Sequence, residues 1–210
     1  MHPIELPPSQ PAAPQAGVLT EGALTGSTLT GSTLTGSALK ASSPHASART
    51  RSYAWDDPAI SAAAAREQDG VAFLQAILDG RLPAAPIART LDFAPVSVEP
   101  GTVVFEFRPA EFHYNPIGSV HGGMISTMCD SACGCAVQSL LPAGTYYTSL
   151  DLSVRFLRAV RAGAGALTCT GTVTHLGGRS ALAEARLTGS DGKLYAFATS
   201  SCMIFRPAAG

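Results

Sequence analysis

Apolar residues change their spacing along this chain, and each change marks an element. Val71, Phe73, Leu74, Ile77 and Leu78 recur at helical spacing and give one apolar face. Asp56-Asp57-Pro58 opens that stretch, with acid near the positive helix end and Pro in the first turn. Ala62 to Ala65 continue it, Gly70 breaks or kinks it, and Gly80 closes it. Pro83 and Pro86 then bar its resumption. The pattern predicts an amphipathic helix that packs across the main body. From residue 87 the period becomes two. Val103, Phe105 and Phe107 alternate with Val104, Glu106 and Arg108, as in a half-buried strand. Pro100-Gly101 joins it to a preceding strand near Thr90 to Val98.

A turn-rich loop from Pro109 to Val120 leads into an apolar helix over Gly122 to Leu141, which Pro142-Ala143-Gly144 ends. Four strand-like runs follow: Tyr146 to Leu157, Ala166 to His175, Ser180 to Thr188 and Leu194 to Phe205. Asp191-Gly192 is a hairpin turn between the last two, and His175 to Arg179 the turn before. An antiparallel sheet of about six strands with helices on one face belongs to the α+β class. The 122–141 helix carries almost no charge around its circumference, where a surface helix shows a polar stripe. It should be wrapped by the curved sheet on one side and by something else on the other.

Composition narrows the functions open to such a chain. Apolar residues make up 46% and charged residues only 14%, so a core is affordable and some surface is expected to be covered by other subunits. A formal net charge of -1 excludes a basic field for nucleic acid. No run of 18 or more apolar residues predicts a membrane span, and the N-terminus lacks a secretory pattern, so the cytoplasm is the expected location. The five cysteines, at 129, 133, 135, 169 and 202, form no C-x-x-C pair and no zinc-site spacing, so no metal is expected. They read as small core residues of a reducing compartment, with a Cys129 nucleophile as the fallback. Residues 1–52 differ from the rest. Copies of a five-residue unit, such as Thr28-Leu29-Thr30-Gly31-Ser32, carry one Leu each, too little to offset ordering entropy. They read as a disordered tail before a folded domain at 53–210.

The chemistry concentrates in Asn115 to Asp130. A helix N-terminus offers unpaired N–H groups that can hold a developing negative charge. A lone Asp within an uncharged helix is expensive to bury and usually has a task. Gly122 and Asp130 are eight residues apart, about 12 Å along a helix axis. One reacting carbon cannot lie within hydrogen-bond reach of both groups in the same chain. If both act on one substrate, they come from different subunits, on two antiparallel helices.

Asn115-x-x-Gly118-x-x-His121-Gly122-Gly123 with Asp130, then Tyr147-Thr148-Ser149-Leu150-Asp151 and Phe156-Leu157-Arg158, resembles the PaaI-type acyl-CoA thioesterases of the hotdog fold. The resemblance covers residues 57 to 206. It implies a sheet wrapped around one helix, assembled as a dimer or a dimer of dimers, and an acyl- or aryl-CoA substrate. Coenzyme A is then part of the substrate, and no cofactor is expected. The resemblance makes Asp130 the general base or nucleophile and the Gly122 amide the oxyanion donor. Asn115 would orient the thioester or water, and Ser149 would position the water, with Thr148 the neighbouring candidate. His121 would cap the helix or hold the loop. Gly123 and the turn Gly177-Gly178-Arg179-Ser180 would bind substrate, with Arg179 and Arg158 on phosphates. Arg155 and Arg161 are weaker phosphate candidates. Ala159 stands where the family often has Pro. The alternatives are a hotdog dehydratase or hydratase, lacking an evident Asp–His pair here, and a non-catalytic acyl-CoA sensor. A chain beginning near Ser52 is expected to fold and stay active; insoluble or inactive product would contradict this.

Overall fold

The computed structural model describes residues 49–206, and the fold is organised on one helix. The repeats expected to form a disordered tail lie outside the described residues. Three short helices come first: α1 (Pro58–Glu67), α2 (Gly70–Leu78) and α3 (Pro86–Leu91). Strands β1 (Phe93–Glu99) and β2 (Thr102–Phe107) follow, then the long helix α4 (Gly122–Gln138). Strands β3 (Tyr146–Ser149), β4 (Ser153–Phe156), β5 (Leu167–Leu176), β6 (Ser180–Gly189) and β7 (Leu194–Phe205) complete the order. Among the described residues the sheet has seven strands in the order β1-β2-β5-β6-β7-β3, all neighbours antiparallel, with β4 also on β7. This is the expected α+β architecture, a sheet curved around α4.

Several boundaries differ from the sequence pattern for local reasons. The run from Tyr146 to Leu157 divides in two, which gives seven strands where about six were expected. Asp151 causes the break. Its carboxylate accepts the Ser201 N–H at 3.1 Å and the Ser201 hydroxyl at 2.6 Å, and its carbonyl accepts the Ser200 hydroxyl at 2.8 Å. Side-chain bonds thus replace the ladder between β3 and β4. The predicted first helix is two, because Asp69 caps α2 by accepting the Ala72 N–H. Pro86 does not bar helix: it sits in the first turn of α3, where its missing N–H costs nothing. That short helix delays the next strand to Phe93.

Burial on α4 follows from close backbone contact. Met128, Cys129, Ala132, Cys133 and Val137 are fully enclosed beneath β2, β5, β6 and β7. At Gly171 in β5 a Cβ would collide with the Ala132 carbonyl, so only glycine lets this strand lie against the helix backbone. The opposite side of α4 is not enclosed: Ser126, Thr127, Asp130 and Ser131 form a half-exposed polar stripe at helical spacing. The helix therefore has the polar stripe that its low charge concealed, built from hydroxyls and one carboxylate. Arg51, just before the proposed Ser52 start, donates to the Thr90 and Arg89 carbonyls and lies 4.0 Å from the Phe112 ring centre. Of the described helices, none is long and apolar enough to cross a membrane.

His113 holds the loop that enters α4. It is 4% exposed, and its Nδ1 accepts the Ala110 N–H at 3.0 Å. The ring proton therefore sits on Nε2 and is donated to the Leu91 carbonyl at 2.7 Å. The His113 carbonyl accepts the His121 N–H at 2.7 Å, which couples this joint to the start of α4. Burial lowers the His113 pKa below the ordinary histidine value, against a partial counter-effect of the Leu91 bond. In the unfolded chain this histidine takes up its proton near pH ~6.5. Below that pH the unfolded state binds a proton that the folded state refuses, so stability is lost as pH falls toward the folded pKa. His113→Gln should cost about 1–3 kcal/mol at pH 7.5, the usual range for a disrupted buried hydrogen-bonding site. In denaturant titrations the gap between wild type and variant should narrow from pH 7.5 to pH 5. A constant gap would show that the imidazole does not stay neutral.

Candidate active site

Two cavities divide four of the predicted residues: one takes Asn115, Gly122 and Arg158, the other Asp130. The first, of about 300 Å³, is lined by Asn115, Ser119, Gly122, Phe156, Arg158 and their neighbours. Here the loop that ends at α4 meets the end of β4. The Asn115 carboxamide oxygen accepts the Ile117 and Ser119 N–H groups, and its nitrogen donates to the Ser119 hydroxyl at 3.0 Å. Asn115 thus builds its own loop, and one of its two amide hydrogens remains for another acceptor. His121 caps the helix by taking the Gly123 N–H. That occupies the Gly123 donor. No group among the described residues takes the Gly122 N–H. The tip of the Phe156 ring abuts Gly122, where a Cβ would stand 3.1 Å from it.

The second cavity, of about 230 Å³, holds Asp130 with Ser131, Cys135 and Tyr147. Its other walls are apolar, among them Leu74 and Ile77 of α2, Ile87 of α3, Phe93 of β1 and Phe105 of β2. Ser149 donates its hydroxyl to Asp130 Oδ1 at 2.8 Å. The carboxylate is oriented by that bond, and Oδ2 keeps its lone pairs for a further donor. Tyr147 and Ser149 share a face of β3 because strand side chains alternate. Alternation turns Thr148 to the opposite, exposed face, opposite Met203 on β7, so the structure does not bring this predicted substrate residue to Asp130.

The remaining positions divide by sheet geometry. Arg158 is exposed, lines the Gly122 cavity and donates to the Leu194 carbonyl at one end of β7. Arg179 lies in the Gly177–Ser180 turn, closed by the Gly177 N–H on the Ser180 carbonyl, and its own carbonyl accepts from Ile204 at the other end of β7. Ten residues of strand span roughly 30 Å, so these two cations do not meet in one chain. Gly178, Arg179 and Ser180 are exposed.

The fallback of a cysteine nucleophile is not met. All five thiols are free, and Cys129 is fully buried with its sulfur 3.9 Å from that of Cys169. Burial pushes the Cys133 thiol far up and the Cys135 thiol up to about 12, and the Asp130 charge adds to both. Neither supplies thiolate at neutral pH.

A family model for the thioesterase superfamily matches residues 117–196. A phenylacetic acid degradation-related protein from Ralstonia eutropha is 30% identical over 62% of this chain and 98% of its own, at a TM-score of 0.57. This chain belongs to the thioesterase superfamily. The E. coli PaaI protein of the phenylacetic acid degradation operon shares the fold at 22% identity and a TM-score of 0.57, over 66% of this chain and 96% of its own. A Streptococcus mutans protein bound to acetyl CoA is 26% identical over 55% of this chain and 91% of its own, at a TM-score of 0.50. A sequence comparison with curated proteins finds no match. The chain is thus a PaaI-type hotdog protein and a thioester hydrolase.

Two lining groups of this thioesterase are not marked by the sequence pattern: Phe156 stands in it only as part of a motif, and nothing in it announces α3. The sequence offers Met124, Met128, Tyr146 and Tyr147 as lining of an acyl pocket, and of these four Tyr147 lines the Asp130 cavity. Ser149→Ala should lower kcat about 10- to 100-fold, the equivalent of a hydrogen bond to a charged group. Steady-state rates with a thiol reagent would measure it; an unchanged kcat would remove Ser149 from the site.

Proposed function

We propose that this thioesterase hydrolyses acyl-CoA esters at a site shared by two chains. The observation that carries the reading is the pair of functional ends on one helix: a Gly122 N–H without a partner among the described residues, and a Ser149-held Asp130 carboxylate eight residues on. The two ends line separate cavities within one chain, which suits two antiparallel copies of α4. Coenzyme A as the leaving group is supported by the acetyl CoA bound to the Streptococcus mutans relative.

In this reading the thioester carbonyl oxygen accepts the Gly122 N–H of one chain. Asp130 of the other chain takes a proton from a water whose oxygen attacks the carbonyl carbon. The tetrahedral oxyanion is held by the amide and the positive end of α4, worth about 3–4 kcal/mol in the transition state. The carbon–sulfur bond then breaks, the thiolate leaves, and the proton on Asp130 passes to it. Free acid and coenzyme A result. The spare Asn115 hydrogen is available to the thioester or the water. Arg158 and Arg179, at opposite ends of β7, are phosphate candidates from different chains.

Asp130→Asn should lower kcat by about 100- to 10,000-fold, the span for loss of a general base. Gly122→Pro removes the donor and fits the first helical position, while its ring presses on the Phe156 tip; Gly122→Ala, which keeps the N–H, isolates that crowding. Gly122→Pro should cost about 100- to 1,000-fold. Co-refolding the two inactive variants decides the shared site. Each mixed dimer would hold one site with both lesions and one with none. About a quarter of wild-type activity should return if two-fold pairing is random. No recovery in proven mixed dimers would place both groups in one chain and end the proposal.

A further inference from the structure

Gly134 is out of place in a helix that buries its neighbours. It is buried in α4 between Cys133 and Cys135, and a glycine inside a helix is less favourable than alanine. The reason lies on β3. A Cβ at Gly134 would drive into the Tyr147 hydroxyl and stand 2.7 Å from two ring carbons. Helix and ring therefore fit as notch and tongue. Tyr147 lines the Asp130 cavity, and its strand neighbour on the same face, Ser149, bonds to Asp130. The ring thus stands next to the reacting carboxylate.

Of the other walls, Leu74, Ala88, Phe93 and Phe105 belong to the core itself, whereas Ile77, the exposed Ile87 and Tyr147 lie outside it. Of these three, only Tyr147 stands on the strand that carries Ser149 to Asp130. The cavity, about 230 Å³, is small. A hole of ~150 Å³ holds benzene, and pockets for drug-sized ligands start near ~300 Å³. Burial also keeps the phenol protonated, so the ring adds no charge beside Asp130.

We propose that Tyr147 is the specificity-determining wall of this acyl cavity, and that Gly134 holds its ring back far enough to admit one aromatic ring or a short-to-medium aliphatic chain. The proposal rests on the reading of the Asp130 cavity as the acyl side of the site. Longer chains meet the ring. Shortening the side chain opens the wall; filling the notch pushes the ring forward into the cavity.

The test is kcat/KM across acetyl-, hexanoyl-, octanoyl-, dodecanoyl-, palmitoyl- and phenylacetyl-CoA for wild type, Tyr147→Ala, Tyr147→Phe, Gly134→Ala and the Gly134→Ala/Tyr147→Ala pair. Wild type should peak at eight carbons or fewer. Tyr147→Ala should move the peak to longer chains, each further buried methylene adding a factor of about four. Tyr147→Phe keeps the ring and should keep the wild-type length profile. Gly134→Ala should penalise hexanoyl and phenylacetyl groups more than acetyl. The pair should recover the long-chain preference of Tyr147→Ala, because no ring is left to displace. Tyr147→Leu serves in place of the alanine variant if that one fails to fold. A wild-type optimum at palmitoyl, or variants whose rates fall by one factor at every length, would overturn the assignment while leaving the thioesterase reading intact. Absence of turnover with every CoA ester would instead strike the acyl-CoA reading, and this proposal with it.

Discussion

The tight seat of α4 against the sheet is the constraint on which the molecule depends. Gly171 lets the β5 backbone reach the helix backbone at Ala132, and Gly134 lets the Tyr147 ring sink into it. Contact this close leaves no room for large side chains, which is why alanines, cysteines and glycines crowd this helix. Interiors packed to crystal-like density transmit any shift of one layer to the next. The seat therefore fixes the rotation of α4 about its axis, and with it the direction in which Asp130 points. A carboxylate on the enclosed side would carry a desolvation cost with no compensation. On the half-exposed stripe it needs one orienting hydroxyl, and β3 supplies it.

The same rotation explains why the two ends of the helix have different surroundings. At the start, His121 consumes the Gly123 donor and leaves the Gly122 donor at a cavity of mixed lining that holds Asn115, Ser119 and Arg158. Two turns on, Asp130 faces a mostly apolar one. Charge development on a carbonyl oxygen and burial of an acyl chain ask for these two environments. A single straight helix cannot fold them onto one carbon, since its rise separates them.

Much of this was legible from residue order. Long-period features survived: the alternation in β2, the Asp191-Gly192 turn, the glycine pair that opens α4 and the lone carboxylate within it. The spacing of Gly122 and Asp130 needed no structure at all. Short-range competition was less legible. The Asp151 carboxylate outbids the sheet ladder only because Ser200 and Ser201 lie opposite, fifty residues away in sequence. Pro86 ends one pattern and starts another, and which role prevails depends on whether α3 can pack. Thr148 and Ser149 illustrate a third limit: neighbours in sequence face opposite sides of the sheet, and only register tells which hydroxyl meets Asp130. The polar stripe on α4 escaped a count of charges because hydroxyls make most of it.

The edge of the sheet brings the chemistry and the surface into one problem. β3 and β4 lie along the outer side of β7 and are four residues each. Leu150, Phe156 and Leu157 on this edge are all more than half exposed. An open edge with apolar side chains invites pairing with another chain, and proteins usually blunt such edges with charge or proline. Here Asp151, Arg155 and Arg158 are the charged groups; Asp151 is taken up by Ser201, and Arg158 is drawn aside to the Leu194 carbonyl. Ala159 provides no proline stop. The proposed two-chain assembly would cover this edge while bringing Gly122 of one copy, under its Phe156 ring, to Asp130 of the other. The exposed apolar edge and the divided site would then share one solution: the surface that a lone chain leaves unprotected is the surface through which its helix completes a reaction centre.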